Sequence, residues 1–307
     1  MPKVLVTGGA GFIGSNIVDL LIEKGYDVSV VDDLSTGRKE NLNPEARFYK
    51  TDITDPSLKD VFIKEKPEYV IHEAAQINVR KSITDPAFDA RINILGSLNL
   101  IECCRKYNVK KTLYASSGGA IYGEPVKLPA DENHQIRPLC PYGASKYSVE
   151  NYLYINKKTY GLDYVALRYA NVYGPRQDPL GEAGVVAIFM NKMLLGETPS
   201  IFGDGEQTRD FVYVKDVAAA NLLALENKTK NTEYNIGTGK ETAVNELYDQ
   251  IKKILPAKKE AVHVDAVPGE VRRIYLDISR AQKELNWKPK TNLAAGLKET
   301  AEHLKKQ

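Results

Sequence analysis

Tyr142 and Lys146 stand four residues apart in Tyr142-Gly143-Ala144-Ser145-Lys146. On a helix that spacing puts both side chains on one face. A tyrosine held beside a fixed cation ionises below its usual pKa of about 10 and becomes a general base. Pro138 and Pro141, just upstream, give such a helix a rigid start. Alone, the spacing more often marks a solvated pair on a helix surface. A second pattern changes its weight. Thr7-Gly8-Gly9-Ala10-Gly11-Phe12-Ile13-Gly14 follows a β-rich run and opens a helical one. Gly8 permits a tight turn, Gly11 lets the backbone approach a pyrophosphate, and Gly14 lets helix and strand pack closely. The helix N-terminus adds free N–H groups and a partial positive charge for phosphates. Asp32 ends the next β-rich run, where a carboxylate accepts both ribose hydroxyls of NAD and repels the extra phosphate of NADP. The expected cofactor is therefore NAD. Its oxidised ring would join Lys146 in favouring the Tyr142 phenolate. Asp52-Ile53 ends a third run, where an adenine amine can be met, although a plain strand-end cap explains that pair nearly as well.

These residues need a scaffold that brings strand ends together. β-rich runs at 3–8, 27–31, 47–50, 69–72, 111–115 and 163–169 alternate with helical patterns at 12–23, 56–64, 87–107 and 141–160. In the first helix Ile13, Ile17, Leu20 and Leu21 give one apolar face, and Gly25 stops it. Such alternation implies right-handed crossovers and an α/β doubly wound parallel sheet of Rossmann type. Chemistry in such sheets gathers at the carboxyl ends of the strands, where each motif above lies. After Gly174 glycine and proline become frequent and the alternation stops. The expected division is an NAD-binding domain over 1–174, with a return of the chain near 212–238, and a smaller mixed α/β substrate domain over 175–307.

Composition sets broad limits. The chain has 307 residues, 43% hydrophobic and 27% charged, with a formal net charge of +2. Those values fit a soluble globular enzyme, and no basic tail or block suggests a nucleic-acid partner. No apolar leader precedes the first motif and no run is long enough to span a bilayer, so a cytoplasmic protein without membrane contact is expected. Cys103 and Cys104 are adjacent, and Cys140 stands apart, a pattern of free thiols in a reducing compartment. The histidines His72, His134, His263 and His303 are scattered, so no metal site is expected.

Together the motifs resemble the extended short-chain dehydrogenase/reductase family, and within it the UDP-glucose 4-epimerase family. The resemblance runs nearly end to end. It rests on residues 7–14, Asp32, Asp52-Ile53, residues 72–76, Asn93, residues 116–123 and 142–146, Leu167-Arg168-Tyr169-Ala170-Asn171, Gly203-Asp204-Gly205 with Arg209-Asp210, Asn235-Ile236-Gly237, and Leu285-Asn286-Trp287-Lys288-Pro289. It implies that NAD is held by Gly8, Gly11, Phe12, Ile13, Asp32, Asp33, Ser35, Thr36, Gly37, Asp52, Ile53, Ala74, Ala75, Gln76, Asn93, Ser116, Tyr142, Lys146 and Tyr169. It implies that Tyr142 takes the proton of a sugar 4-hydroxyl, that Lys146 holds the nicotinamide ribose, and that NAD accepts the C4 hydride and returns it to the other face of a rotated 4-keto sugar. Asn171 and Arg209 would hold the diphosphate of a UDP-sugar substrate such as UDP-galactose, and the long helices 87–107 and 141–160 would pair in a homodimer.

This sequence departs from the family's pattern at some positions. The hydroxyl usual four residues before the Tyr of Tyr122-Gly123 is replaced by Gly118. Ser117 is taken as the catalytic hydroxyl, the alternatives being that water takes that role or that it is dispensed with; Gly118 is placed beside the substrate. Near Pro268-Gly269-Glu270 the usual arginine is Val267, and Arg272 becomes the candidate second phosphate contact. Ile274 falls where the family adjusts room at sugar C2, which leaves a UDP-N-acetylhexosamine or a UDP-uronate open as substrate. A 4,6-dehydratase or a decarboxylase needs a carboxylate in the loop at 117–120, where Ser117-Gly118-Gly119-Ala120 offers none. A 4-reductase is also compatible with the same Tyr and Lys. A cofactor-binding regulator without catalysis would not need both Tyr142 and Lys146.

Overall fold

The fold is taken from a computed structural model that describes residues 1–179, 184–256, 259–266 and 271–306. Its first strand, β1 (Lys3–Thr7), shows why the sheet lies inside. Val4 and Val6 join one buried cluster while Leu5 joins another, so both faces are covered. The chain then runs through α1 (Phe12–Glu23), β2 (Asp27–Asp32), β3 (Arg47–Lys50), α2 (Leu58–Glu65) and β4 (Tyr69–His72). Short helices α3 (Val79–Thr84) and α4 (Pro86–Ala90) follow, then a π-helical turn at Arg91–Gly96 leading into α5 (Ser97–Lys106). Next come β5 (Lys111–Ser117), α6 (Pro141–Tyr160), β6 (Asp163–Tyr169) and β7 (Asn171–Tyr173).

The remaining elements are α7 (Val185–Leu195), β8 (Ser200–Phe202), β9 (Thr208–Arg209), β10 (Phe211–Tyr213), α8 (Val214–Glu226), β11 (Glu233–Ile236), β12 (Thr242–Ala243), α9 (Val244–Ile254), β13 (Val262–Val264), α10 (Ser279–Glu284) and α11 (Leu293–Leu304). The main sheet has seven strands in the order β11-β6-β5-β4-β1-β2-β3, and every pairing in it is parallel. The order reverses between β1 and β4, which opens a crevice at their carboxyl ends. The later chain contributes to this sheet, since β11 pairs with β6 in the register Glu233↔Ala166 to Ile236↔Tyr169 and α8 packs on α1. Tyr173, Phe189, Met190, Leu247, Ile251 and Leu297 form a separate core under the C-terminal elements. None of the described helices is long and apolar enough to cross a membrane.

The expected single helix over 87–107 is instead α4, the π turn and α5. The wider turn rotates Asn93 inward, where it is 2% exposed. Its Oδ1 accepts from the Gln76 backbone N–H at 2.8 Å, and its Nδ2 reaches Asp89 at 3.0 Å. Helix α3 falls in a stretch whose pattern predicts none. Asn78 caps it, accepting from the Lys81 N–H at 2.5 Å.

One buried polar network joins α6 to the sheet. Arg168 on β6 pairs with Glu150 on α6 at 2.7 Å, both side chains being 4% exposed. Ser116 donates to Glu150 at 2.5 Å, and Arg168 also donates to the Tyr122 hydroxyl and the Glu132 carbonyl, each at 3.0 Å. Glu150 lies one helical turn beyond Lys146, so this pair fixes the helix that carries the candidate catalytic side chains. Glu150→Leu leaves a buried guanidinium uncompensated and should cost about 3–5 kcal/mol in urea denaturation. Glu150→Leu with Arg168→Met should recover most of that loss.

Candidate functional site

The turn after β1 forms a cradle with little room to spare. A Cβ added at Gly14 would lie 2.2 Å from the Gly8 carbonyl oxygen, so only glycine permits α1 to start this close to the strand. Gly11 caps α1 without a side-chain hydrogen bond, which leaves the first-turn N–H groups at Phe12 and Ile13 for an anion. Asp32 sits beside this turn and is 7% exposed. Its oxygens accept from the Ala10 N–H at 3.0 Å and the Leu34 N–H at 2.9 Å, which fix its orientation. Burial raises its pKa, and those two N–H bonds oppose the rise. Gly37 is packed so near that a Cβ there would lie 2.6 Å from Asp32 Oδ1. Asp33 turns away to hold Ser35, accepting from its N–H at 2.8 Å and its hydroxyl at 2.6 Å, and Thr36 is exposed in the same loop. Arg38 pairs with Asp178 at 2.9 Å rather than with Asp32. The cradle and acid together fit a dinucleotide with a free ribose diol.

Asp52 accepts from the Thr54 N–H at 2.7 Å, so it caps a turn, while Ile53 is 5% exposed against Gly96. Ala74 donates its N–H to Thr7 Oγ1 at 3.3 Å, and Ala75 and Gln76 continue along the crevice. Asn93 does not reach into this crevice. Its amide is engaged by Gln76, Asp89 and Ser145, so it holds the Ala74–Gln76 turn in place.

At the far side of the crevice Lys146 is 3% exposed and donates to the Ala115 carbonyl at 2.8 Å. Its ammonium lies 5.9 Å from the centre of the Tyr142 ring. Burial lowers the Lys146 pKa, while Glu73 and Asp89 raise it. Burial raises the Tyr142 pKa, and the Ser117 hydroxyl pulls it down. In the chain alone, then, burial is the dominant influence on Tyr142. Ser117 is the hydroxyl that faces the phenol. A side chain at Gly118 would need Leu276 to shift, because a Cβ there would lie 2.6 Å from Leu276 Cδ1. Ser116 points the other way, into the Glu150–Arg168 network. Tyr169 is 5% exposed and donates to Glu73 at 2.8 Å, so only its backbone borders the crevice.

The candidate substrate residues divide. Asn171 at the start of β7 faces this crevice, its Oδ1 3.6 Å from where a Cβ of Gly119 would be. Arg209 is half-buried on β9, and its guanidinium donates to the Thr208 carbonyl at 2.8 Å. The adjoining Asp210 is 2% exposed and accepts from Thr238, Gly239 and Leu276, which locks that strand in place. Arg272 is exposed on the rim of a 450 Å³ groove, where it grips both oxygens of Asp204 at 2.7 and 2.9 Å. A phosphate would have to compete with that pair. Ile274 is 2% exposed within the main core. Val267 and Pro268-Gly269-Glu270 lie outside the described residues. The sequence reading passed over the acids Glu73 and Asp89. Glu73 had one available signal, its place directly after β4, where strand ends carry chemistry.

Asp32→Ala should weaken NAD binding by about ten- to a hundredfold, since a charge-assisted bond is worth about 1.5–3 kcal/mol. Titration calorimetry checks this.

Residues 4–237 match the NAD dependent epimerase/dehydratase family. A UDP-glucose 4-epimerase of Thermotoga maritima, solved with UDP-glucose, superposes with a TM-score of 0.97 at 54% identity, covering 99% of both chains. A UDP-glucose 4-epimerase of Thermus thermophilus, solved with NAD, gives 0.94 at 42% over 99% of both chains. A UDP-N-acetylglucosamine 4-epimerase of Methanobrevibacter ruminantium, solved with UDP-N-acetylmuramic acid, gives 0.93 at 39% over 100% of this chain and 99% of that one. Matched to the family over residues 4–237 and alike end to end to these epimerases, this chain belongs to the NAD-dependent epimerase/dehydratase family.

Proposed function

We propose that this protein is an NAD-dependent UDP-hexose 4-epimerase that interconverts UDP-galactose and UDP-glucose, working as a cytoplasmic homodimer. The observation that carries the reading is the company Tyr142 keeps. Ser117 and Lys146 face it beside the cofactor cradle, and the loop Ser117-Gly118-Gly119-Ala120 holds no carboxylate. Eliminating water across the sugar would need an acid there. Epimerisation at C4 needs only a base, a hydroxyl and a hydride acceptor.

NAD, when bound, accepts a hydride from the sugar and returns it, so the reaction is redox-neutral. Tyr142 Oη takes the proton of the 4-hydroxyl and gives it back after the sugar has turned. Ser117 Oγ shares that proton's path. Lys146 Nζ holds the nicotinamide ribose and keeps positive charge under the phenol. A bound oxidised ring would add a second positive charge to offset the burial of Tyr142. Asn171 and Arg209 hold the diphosphate, Arg209 through charge-assisted bonds, while the sugar turns. Arg272 joins them only by releasing Asp204. A UDP-N-acetylhexosamine is the second reading. It is favoured by the 39% identity to a UDP-N-acetylglucosamine 4-epimerase over the whole chain.

The dimer reading rests on one apolar face. Helices α3 and α6 pack side by side with the π turn, and Ile83, Leu95, Tyr154 and Ile155 on them are each at least half exposed. Exposed apolar side chains gathered on neighbouring helices fit a surface that another copy covers. All three cysteines are free thiols, as a reducing compartment requires.

Purified protein given UDP-galactose and no added NAD should form UDP-glucose, read by chromatography. No conversion even with NAD supplied would overturn the reading for this substrate. Tyr142→Phe should keep NAD and lose about 10²–10⁴ in kcat. Ile155→Asp should shift the mass seen in sedimentation from dimer to monomer.

A further inference from the structure

The base and its lysine do not stand alone at this edge. Strand register places a carboxylate next to them. β4 pairs with β5 through His72↔Tyr114, so the following residue, Glu73, comes beside Ala115. The Ala115 carbonyl is the acceptor of the Lys146 ammonium. Alternation sets the faces: Ile71 belongs to the cluster under α1 and α8, His72 bonds Ser97 on the other face, and Glu73 returns to the first. Lys146 arrives from α6 on the opposite face. The two side chains therefore approach over the carboxyl edge from the two sides of the sheet, and their charges couple there.

Glu73 is fixed by a chain of its own. Tyr169 donates to its Oε1 at 2.8 Å, reaching across the end of β5 from β6. Asn221 on α8 donates to the Tyr169 hydroxyl at 2.7 Å. We propose that Glu73 is the positioning residue that keeps Lys146 charged, serving as its counter-charge across the sheet edge and itself held by Tyr169 and Asn221. This rests on the epimerase reading only in assigning Lys146 its task.

The neighbourhood contains every group this needs. The groups that face Glu73 are Tyr169 from β6 and Lys146 and Tyr142 from α6, with Tyr114 of β5 also within electrostatic range. Asp89 of α4 acts on Lys146 in the same sense but second to Glu73. His72, next to Glu73, is held neutral by burial, its pKa pushed down to about 3. Lys146 is the cation that acts on the Glu73 carboxylate, opposing the rise that burial causes. Burial disfavours both charges, and each offsets that cost for the other.

The sign follows. An anionic Glu73 favours the charged form of Lys146, so its removal lets Lys146 lose its proton at lower pH. The experiment follows Lys146 Cε by carbon NMR on isotopically labelled protein, with the resonance identified by its loss in Lys146→Met. In Glu73→Gln the Lys146 midpoint should fall by about one pH unit, a tenfold change in proton affinity. Tyr169→Phe removes a donor that favours the Glu73 anion and should move the midpoint the same way by a smaller step. A merely structural loosening would admit water to the buried ammonium and raise the midpoint instead, so an upward move also overturns the proposal. A Glu73→Gln midpoint within about 0.3 units of the parent's overturns the proposal. If Glu73→Gln does not fold, the Tyr169→Phe midpoint decides: a downward move supports the proposal and no move overturns it. Since the readout needs no turnover, an inactive epimerase assay leaves it untouched, and an unmoved midpoint in an active epimerase sinks this inference alone.

Discussion

In a parallel sheet neighbouring strands end on the same side, and their register decides which residues meet there. Thr7 lies against His72, His72 against Tyr114, and Ser117 against Tyr169. From those pairings come the glycine turn after β1, the acid after β4, the hydroxyl at the end of β5 and the backbone of Tyr169 in one line. A slip of one residue in any pair would turn these side chains to the wrong face. The buried valines and leucines on both faces make such a slip costly, so apolar packing is what aligns the polar groups.

Charge at this edge is arranged against the tendency of burial to remove it. Arg168 and Glu150 satisfy each other and gather Ser116, Tyr122 and Glu132. They replace what water would have provided and hold α6 rigid. Beside them Lys146 and Tyr142 are less fully satisfied, and both are pushed toward neutrality. The stiff, well-paired network thus supports a reactive and under-compensated one, which is the division of labour expected where binding of a charged cofactor is to finish the electrostatics.

Much of this was legible in the sequence because it is local. The bounds of α1, β3, β4, α6 and β6 follow from apolar period, Gly25 and Pro141. The α/β class follows from their alternation. What escaped depends on neighbours distant in sequence. The π turn forms because Asn93 is drawn to Gln76 and Asp89, and nothing in residues 87–107 announces it. Helix α3 hangs on an Asn78 cap too short to show a period. Ser116 and Ser117 are identical in type, and only the strand's pleat tells that one faces Glu150 and the other Tyr142. Ile274 was placed by analogy, and its burial reflects packing with Leu276 and the sheet, which no local pattern reveals.

Gly118 lies against Leu276, and the segment around Leu276 bonds back to Ala130 on both sides, Ala130 N–H to the Tyr275 carbonyl at 3.0 Å and Asp277 N–H to the Ala130 carbonyl at 2.9 Å. The floor beneath the Ser117 loop is therefore made of chain that leaves the ribosome long after the loop itself. At about 5–20 residues per second the nascent protein spends on the order of tens of seconds with its Ser117 loop lacking that floor. A polypeptide ending before Leu276 would lack the side chain against which Gly118 rests.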